Sequence, residues 1–399
     1  MVNPKMAVMN HVSGNQVAGA GMLALAVAMG IGRFAFTPLL PLMQDEYGLT
    51  VAGGTWLATA NYAGYLAGAL VALAVRVPAP AAIVGGMVAI GLATLGMGYT
   101  HDYPLWLALR ALAGMASAWV MIYVSSWSLE RLVAAGSPAL NGRIFAGVGL
   151  GIAGAGLATL AMMHWRWSAG AAWIALGAGS LVVVVCVLPV FLVRIPGAAR
   201  AAGAAPRQPI RWNGESMRLV GCFATSGFGY IIPATFLPAM AKQVSYDPAI
   251  FGWSWPVFGA AALLSTLAVS ALRPVGNRRL WAASQLLMAA GVALPALWHS
   301  MTAIILAGLL VGGTFMVITM AAVQAARAIA GPQPVGLLSA MTAAFAIGQL
   351  LGPLSVRALL DTGGGLASAL LIASGVLAAG ACALNGFTPA GRGLGPQQI

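Results

Sequence analysis

Apolar runs of about twenty residues, the length a helix needs to cross the hydrocarbon core of a bilayer, recur from one end of this chain to the other. Apart from Arg33 and Arg110, the charged residues gather at or between the ends of these runs. This spacing constrains the fold more than any other feature, because only helices or closed barrels satisfy their backbone groups in lipid. Sixty per cent of the 399 residues are apolar and 7% are charged, against about 25% charged in a soluble domain. A soluble protein of this size could not hide that much apolar surface. The chain reads as an all-α, polytopic membrane protein.

Twelve transmembrane helices are expected, at approximately 17–43, 51–75, 81–99, 103–128, 141–163, 169–193, 217–241, 249–272, 280–298, 302–327, 335–358 and 366–388. The stretch "RIPGAARAAGAAPRQPIRWNGESMR" between the sixth and seventh is rich in Pro, Gly and Arg and reads as a linker. Three parts follow: an N-terminal six-helix bundle at 1–193, a cytoplasmic linker at 194–216 and a C-terminal six-helix bundle at 217–399. With the N-terminus in the cytoplasm, fourteen Lys and Arg fall on the cytoplasmic side and three (Arg166, Lys242, Arg357) on the other. The positive-inside rule then places both termini in the cytoplasm. The first sixteen residues carry Lys5 as their only charge and show no cleavable signal pattern, so the first helix is expected to be retained.

The net charge of +12 does not indicate a nucleic-acid partner, because the basic residues form no single patch with interleaved aromatics. Cys186, Cys222 and Cys382 have neither metal-ligand spacing nor the pattern of a disulfide framework. There is no His-Glu-x-x-His motif and no Gly-x-Ser-x-Gly elbow, so neither an enzyme nor a cofactor or metal site is expected.

The two halves repeat. Sliding the sequence by 197 residues lays "GIGRFAFTPLLPLM" on "GFGYIIPATFLPAM", pairing Gly30 with Gly227, Gly32 with Gly229, Pro41 with Pro238 and Arg33 with Tyr230. The same offset pairs Trp56 with Trp253, Arg76 with Arg273 and Gly151 with Gly348. Two six-helix repeats in the same orientation are the organisation of the major facilitator transporters, which place the substrate between the halves near the midplane.

Short motifs carry the same resemblance. "RPVGNRRLW" after the eighth span keeps Arg273, Gly276, Arg278 and Arg279 of the superfamily's basic loop signature. The matching first copy keeps Gly68 and Arg76 but lacks its aspartate. Arg110 and Gly114 resemble an Arg-x-x-x-Gly pattern, and Gly348, Gly352 and Pro353 resemble a Gly-x-x-x-Gly-Pro hinge. "GIGRFAFTPLLPLMQDEYGLT" followed by "WLATANYAGYLAGAL" resembles the bacterial YbfB/YjiJ-like branch of the superfamily. That resemblance implies a monomeric carrier of the bacterial inner membrane that works by alternating access. It also implies a sugar-efflux-like label without identifying the solute, and makes protons the candidate coupling ion, with facilitated diffusion and anion exchange as the alternatives.

Arg33 raises the functional question, because an arginine at the centre of a membrane helix costs roughly 2.5–3.5 kcal/mol on insertion scales. Gly30 and Gly32 loosen the turn before it, while Pro38 and Pro41 remove backbone donors beyond it, so a hinge is expected there. All seven acidic residues fall at span ends or in loops, leaving Arg33 and Arg110 no carboxylate at the midplane. The leading expectation is a small organic anion held between these two arginines. The structural alternatives are a tie to backbone carbonyls at a helix break for Arg33, and snorkelling or helix pairing for Arg110. Asn61, Tyr62, Tyr65, Tyr230 and Gln349 are further candidates for the substrate cavity, each with helix–helix hydrogen bonding as its alternative. Within the same fold, the 19 methionines also suit an efflux pump for amphiphilic compounds.

Overall fold

The computed structural model describes residues 12–75, 77–193, 210, 212–244, 248–271, 276–331, 334–361 and 365–385. Twelve membrane-length helices run through them. These are α1 (Gly14–Tyr47), α2 (Val51–Ala74), α3 (Ala79–Tyr99), α4 (Tyr103–Ala134), α5 (Asn141–His164) and α6 (Ala169–Leu192). The second set is α7 (Gly214–Val244), α8 (Pro248–Ala271), α9 (Asn277–Leu297), α10 (Met301–Ala330), α11 (Val335–Asp361) and α12 (Leu366–Asn385). Eleven meet the length and hydropathy of a membrane span, and α7, at 31 residues, is long enough to join them. The linker lies outside the described residues except for 210 and 212–216.

Polar residues at the apolar boundaries set where the helices begin. Ser13 and Gln16 form a reciprocal capping box on α1, and Thr50, Asp102, Ser168 and Ser300 each accept a backbone N–H at the start of α2, α4, α6 and α10. Gly48, at φ 62°, ends α1 in the left-handed conformation that a side chain would disfavour. We call the end that holds Gly14 and Asn385 the termini side and the opposite end the far side.

Packing follows the repeat. In the first half α1 lies on α5, α2 on α4 and α3 on α6; in the second, α7 lies on α11, α8 on α10 and α9 on α12. Each pair maps on its counterpart by a shift of six helices. Between the halves the main contacts are α2 with α11 and α5 with α8, which the same shift exchanges. Without a hydrophobic force between helices in lipid, small residues let the backbones approach closely. A Cβ on Gly30 would run into the Gly151 backbone, and one on Gly227 into Phe345, so the repeat-related crossings α1–α5 and α7–α11 are both built on glycine. Gly147, on the same stripe as Gly151, abuts the Met22 backbone. Between the halves, Gly149 packs against the backbone of Gly259 and Leu263.

The interior belongs to α4 and α10, whose middle turns are buried almost all round. By contrast α6 and α12 leave Val182, Val185, Leu371 and Ile372 exposed on the outside, where a lipid-facing surface belongs.

Candidate functional site

The site is built on a distortion in α1. From Ala26 to Phe34 the helix widens into π-helical turns before resuming an α-helix at Phe36. Two features of the sequence account for this. Gly30 and Gly32 allow α5 and α4 to approach the backbone, and Pro38 has no N–H to give the Phe34 carbonyl four residues back. Carbonyls freed in a membrane helix must find new partners. The Gly32 oxygen accepts from Asn61 Nδ2 at 3.1 Å and from Arg110 Nη1 at 3.3 Å. The Arg33 oxygen accepts from Arg110 Nη2 at 3.1 Å, and the Phe34 oxygen from Trp255 Nε1 at 3.1 Å. The corresponding helix of the second half, α7, runs as one α-helix despite Pro233 and Pro238.

Arg110 is therefore a clasp on the broken turn. It is buried at 3% exposure, lies 4.9 Å from the centre of the Phe36 ring, and directs two of its N–H groups at α1 carbonyls. Asn61 reinforces the clasp by also donating to the Arg110 carbonyl at 2.9 Å. Sequence reasoning grouped both with the substrate cavity; their hydrogen bonds go to helix backbone instead.

Arg33 is different. It is buried at 5% exposure, and no carboxylate among the described residues pairs with it. Asp45, on the same helix, is twelve residues on, about 18 Å along the axis. The Arg33 guanidinium lies 4.0 Å over the Tyr65 ring and 5.7 Å from the centre of the Tyr62 ring. Across the interface between the halves, Arg33 Nη2 donates to Gln349 Oε1 at 2.7 Å. Two buried donors beside this bond, Arg33 Nε and Gln349 Nε2, have no hydrogen-bond partner among the described residues. Such orphans are rare inside folded proteins and call for an explanation.

Arg33 opens onto a central cavity of about 40 Å³, lined by both halves. From Arg33 the cavity runs toward the termini side, between Met121 and Ser125 of α4, Thr319 of α10 and Met341 and Thr342 of α11. The second half contributes an aromatic wall. Tyr230 stacks on Phe315 with centres 5.4 Å apart and on Phe345 at 5.8 Å, and Phe315 reaches Phe258 at 5.3 Å. Met29, Met121, Met316 and Met341 supply flexible side chains that can yield as the space changes shape.

Sequence reasoning found Arg33, Tyr65 and Tyr230, which line the cavity, and Gln349 and Tyr62, which face Arg33. It missed Phe315 and Phe345. The hinge candidates Gly348 and Gly352 pack against Ala224 and Ile231 of α7, and α11 continues as a helix through Pro353. Pro41 likewise lies inside the resumed helix. The indole of Trp119 donates to the Gly68 carbonyl, pairing helices rather than facing the cavity, and Trp253 is exposed. A buried network also went unread: Gln285 bonds to Thr225, Ser226, Trp281 and the Leu377 carbonyl, tying α7, α9 and α12 together.

In the basic loop motif, Arg76 and Arg273 lie outside the described residues. Gly276 precedes α9, Arg279 is exposed, and Arg278 shares the Glu215 carboxylate with Arg218. Glu215 sits in the first turn of α7, ahead of the apolar stretch. Partial burial raises its pKa, but the hydrogen bonds and charges of the two arginines outweigh this and hold the carboxyl below its ordinary range.

Comparisons with known proteins agree with this architecture. The crystal structure of the human organic anion transporter MFSD10 (TETRAN) is similar at a TM-score of 0.70 and 15% identity, covering 94% of this chain and 100% of that one. At that identity the likeness establishes the fold. No curated protein matches the sequence. A family description matches residues 25–385, nearly the whole chain, and with it the chain belongs to the major facilitator family described as the uncharacterised MFS-type transporter YbfB.

Proposed function

We propose that this transporter carries a small organic anion across the bacterial inner membrane by alternating access, with both termini in the cytoplasm. The observation that carries the reading is Arg33: a buried guanidinium with no carboxylate partner among the described residues, hydrogen-bonded across the two halves to Gln349 and facing a cavity that both halves line. An unneutralised cation in a low-dielectric cavity attracts an anion. A ligand bound there touches both halves, so it can bias their relative position. The human transporter of the same fold is named for organic anions, which parallels this reading at the level of fold.

The moving parts are the two six-helix bundles at 1–193 and 217–399, rocking about the substrate with 194–216 as their tether. Arg33 is the anion anchor, and Tyr62, Tyr65, Tyr230 and Gln349 surround it. Gly30, Gly32 and Pro38 make α1 the deformable element. Protons remain the candidate coupling ion, with a single carrier per functional unit.

A thermal-shift screen of the purified protein against organic acids, neutral sugars and lipophilic cations tests the assignment, run in parallel on Arg33→Gln. Stabilisation by acids in the wild type alone supports it. Stabilisation by lipophilic cations alone identifies an efflux pump for amphiphilic compounds and overturns it.

A further inference from the structure

We infer that the anion is a carboxylate on a flat, apolar body, such as an aromatic acid, rather than a polyhydroxylated sugar acid. The carboxylate lies at Arg33 and the flat body against the Tyr230–Phe315–Phe345 stack. This inference rests on the anion-carrier reading and sharpens it.

The polar end follows from the unpaired donors. Arg33 commits Nη2 to Gln349, which leaves Arg33 Nε and Gln349 Nε2 both buried and without a hydrogen bond of normal geometry among the described residues. A carboxylate presents two oxygens with about four lone-pair positions, enough for both donors at once. Charge-assisted bonds of this kind are the stronger ones. A neutral ligand would leave the guanidinium charge uncompensated.

The remaining lining argues against a sugar. The Thr319 hydroxyl donates to the Phe315 carbonyl at 2.9 Å, and the Thr342 hydroxyl to the Leu338 carbonyl at 2.7 Å, both in their own helices. Ser125 points its hydroxyl at the Met121 sulfur, 3.7 Å away. The donors of these three hydroxyls are thus engaged locally; the phenols of Tyr65 and Tyr230 sit at the Arg33 end, and the rest of the wall is largely aromatic, aliphatic and thioether. A row of sugar hydroxyls would be stripped of water without replacement partners, a heavy penalty.

Ring geometry selects the shape. The planes of Tyr230 and Phe315 differ by 8°, and those of Tyr230 and Phe345 by 19°. Three rings from α7, α10 and α11 thus share nearly one orientation and offer a planar body offset-stacked contact. The cavity has to widen to admit a ring, and its methionines allow that.

The test uses the full-length protein in nanodiscs, with binding read by tryptophan fluorescence. Benzoate, phenylacetate, cyclohexanecarboxylate and gluconate are titrated on the wild type, Arg33→Gln, Phe315→Leu and Phe345→Leu. The expected result is that an aromatic acid binds at least tenfold tighter than gluconate and tighter than cyclohexanecarboxylate. Its affinity falls by up to about tenfold in either leucine variant, and binding is lost in Arg33→Gln. Arg33-dependent binding of gluconate as tight as that of the aromatic acids overturns the flat-body inference and leaves the anion carrier standing. Equal affinity for benzoate and cyclohexanecarboxylate overturns it too, and that comparison needs only the wild type should the leucine variants misfold. Failure of every acid to bind, or binding indifferent to Arg33→Gln, removes the anion-carrier reading itself.

Discussion

Trp255 reaches across from the second half to hold a carbonyl that Pro38 sets free in the first: its Nε1–H donates to the Phe34 oxygen at 3.1 Å. In an unbroken helix that oxygen would accept from residue 38, and proline has no hydrogen to give. The link between the halves is therefore written partly in the local backbone chemistry of α1. Edge-on contact of Trp255 with the Phe34 ring, at 6.2 Å, adds to it.

A double-mutant cycle tests this relationship. Trp255→Phe orphans the Phe34 carbonyl and is expected to destabilise the protein by about 1–3 kcal/mol. In the Pro38→Ala background the helix can supply its own donor, so most of that loss should vanish. Unfolding in detergent measures both, and purely additive effects would count against the assignment.

Arg110 and Arg33 should separate in a stability assay. Arg110→Met removes the donor to the Arg33 carbonyl and one of two donors to Gly32, a loss of about 1–3 kcal/mol. Arg33→Gln keeps a hydrogen-bonding side chain and deletes an uncompensated charge, so its melting temperature should hold or rise. If Arg33→Gln were the less stable variant, the two roles would be reversed.

The glycine crossing between α1 and α5 predicts intolerance of a single methyl group. Gly30→Ala places a Cβ on the Gly151 backbone, and such overpacking costs typically about 1–3 kcal/mol. Gly227→Ala should behave alike at the repeat-related crossing. Gly19→Ala, with open space around it on the same helix, should be neutral or stabilising. Melting temperatures of the three variants decide the matter.

Acid should weaken the termini-side cluster. Because Arg218 and Arg278 hold the Glu215 pKa below its ordinary value, the ionised form contributes stability that is fully present above about pH 4.3. That contribution disappears as the pH falls through the lower folded-state value. Glu215→Gln should lower the melting temperature at pH 7 and flatten this part of the acid dependence. A variant that keeps the wild-type acid profile would show that the cluster contributes nothing.

Helices, repeat and the key arginine were legible in the sequence because lipid imposes simple rules on length and charge. Arg33 stood out as a cation with no acidic residue nearby in its span. The aromatic wall was not legible, because Phe315 and Phe345 are ordinary apolar residues in spans that are apolar all round. Such helices lack the periodicity that tells an inward face from an outward one. The role of Arg110 was hidden for another reason. Its partners are carbonyls of α1, 77 and 78 residues away, exposed by a π-helical register that Gly30, Gly32 and Pro38 permit but do not spell out.

Anion uptake into proteoliposomes, compared between the wild type and Arg33→Glu, is the decisive measurement for Arg33 as the anion anchor. With folding verified by unfolding temperature, the account predicts that the charge-reversed protein loses organic-anion uptake altogether. Uptake at the wild-type rate in that variant would contradict it.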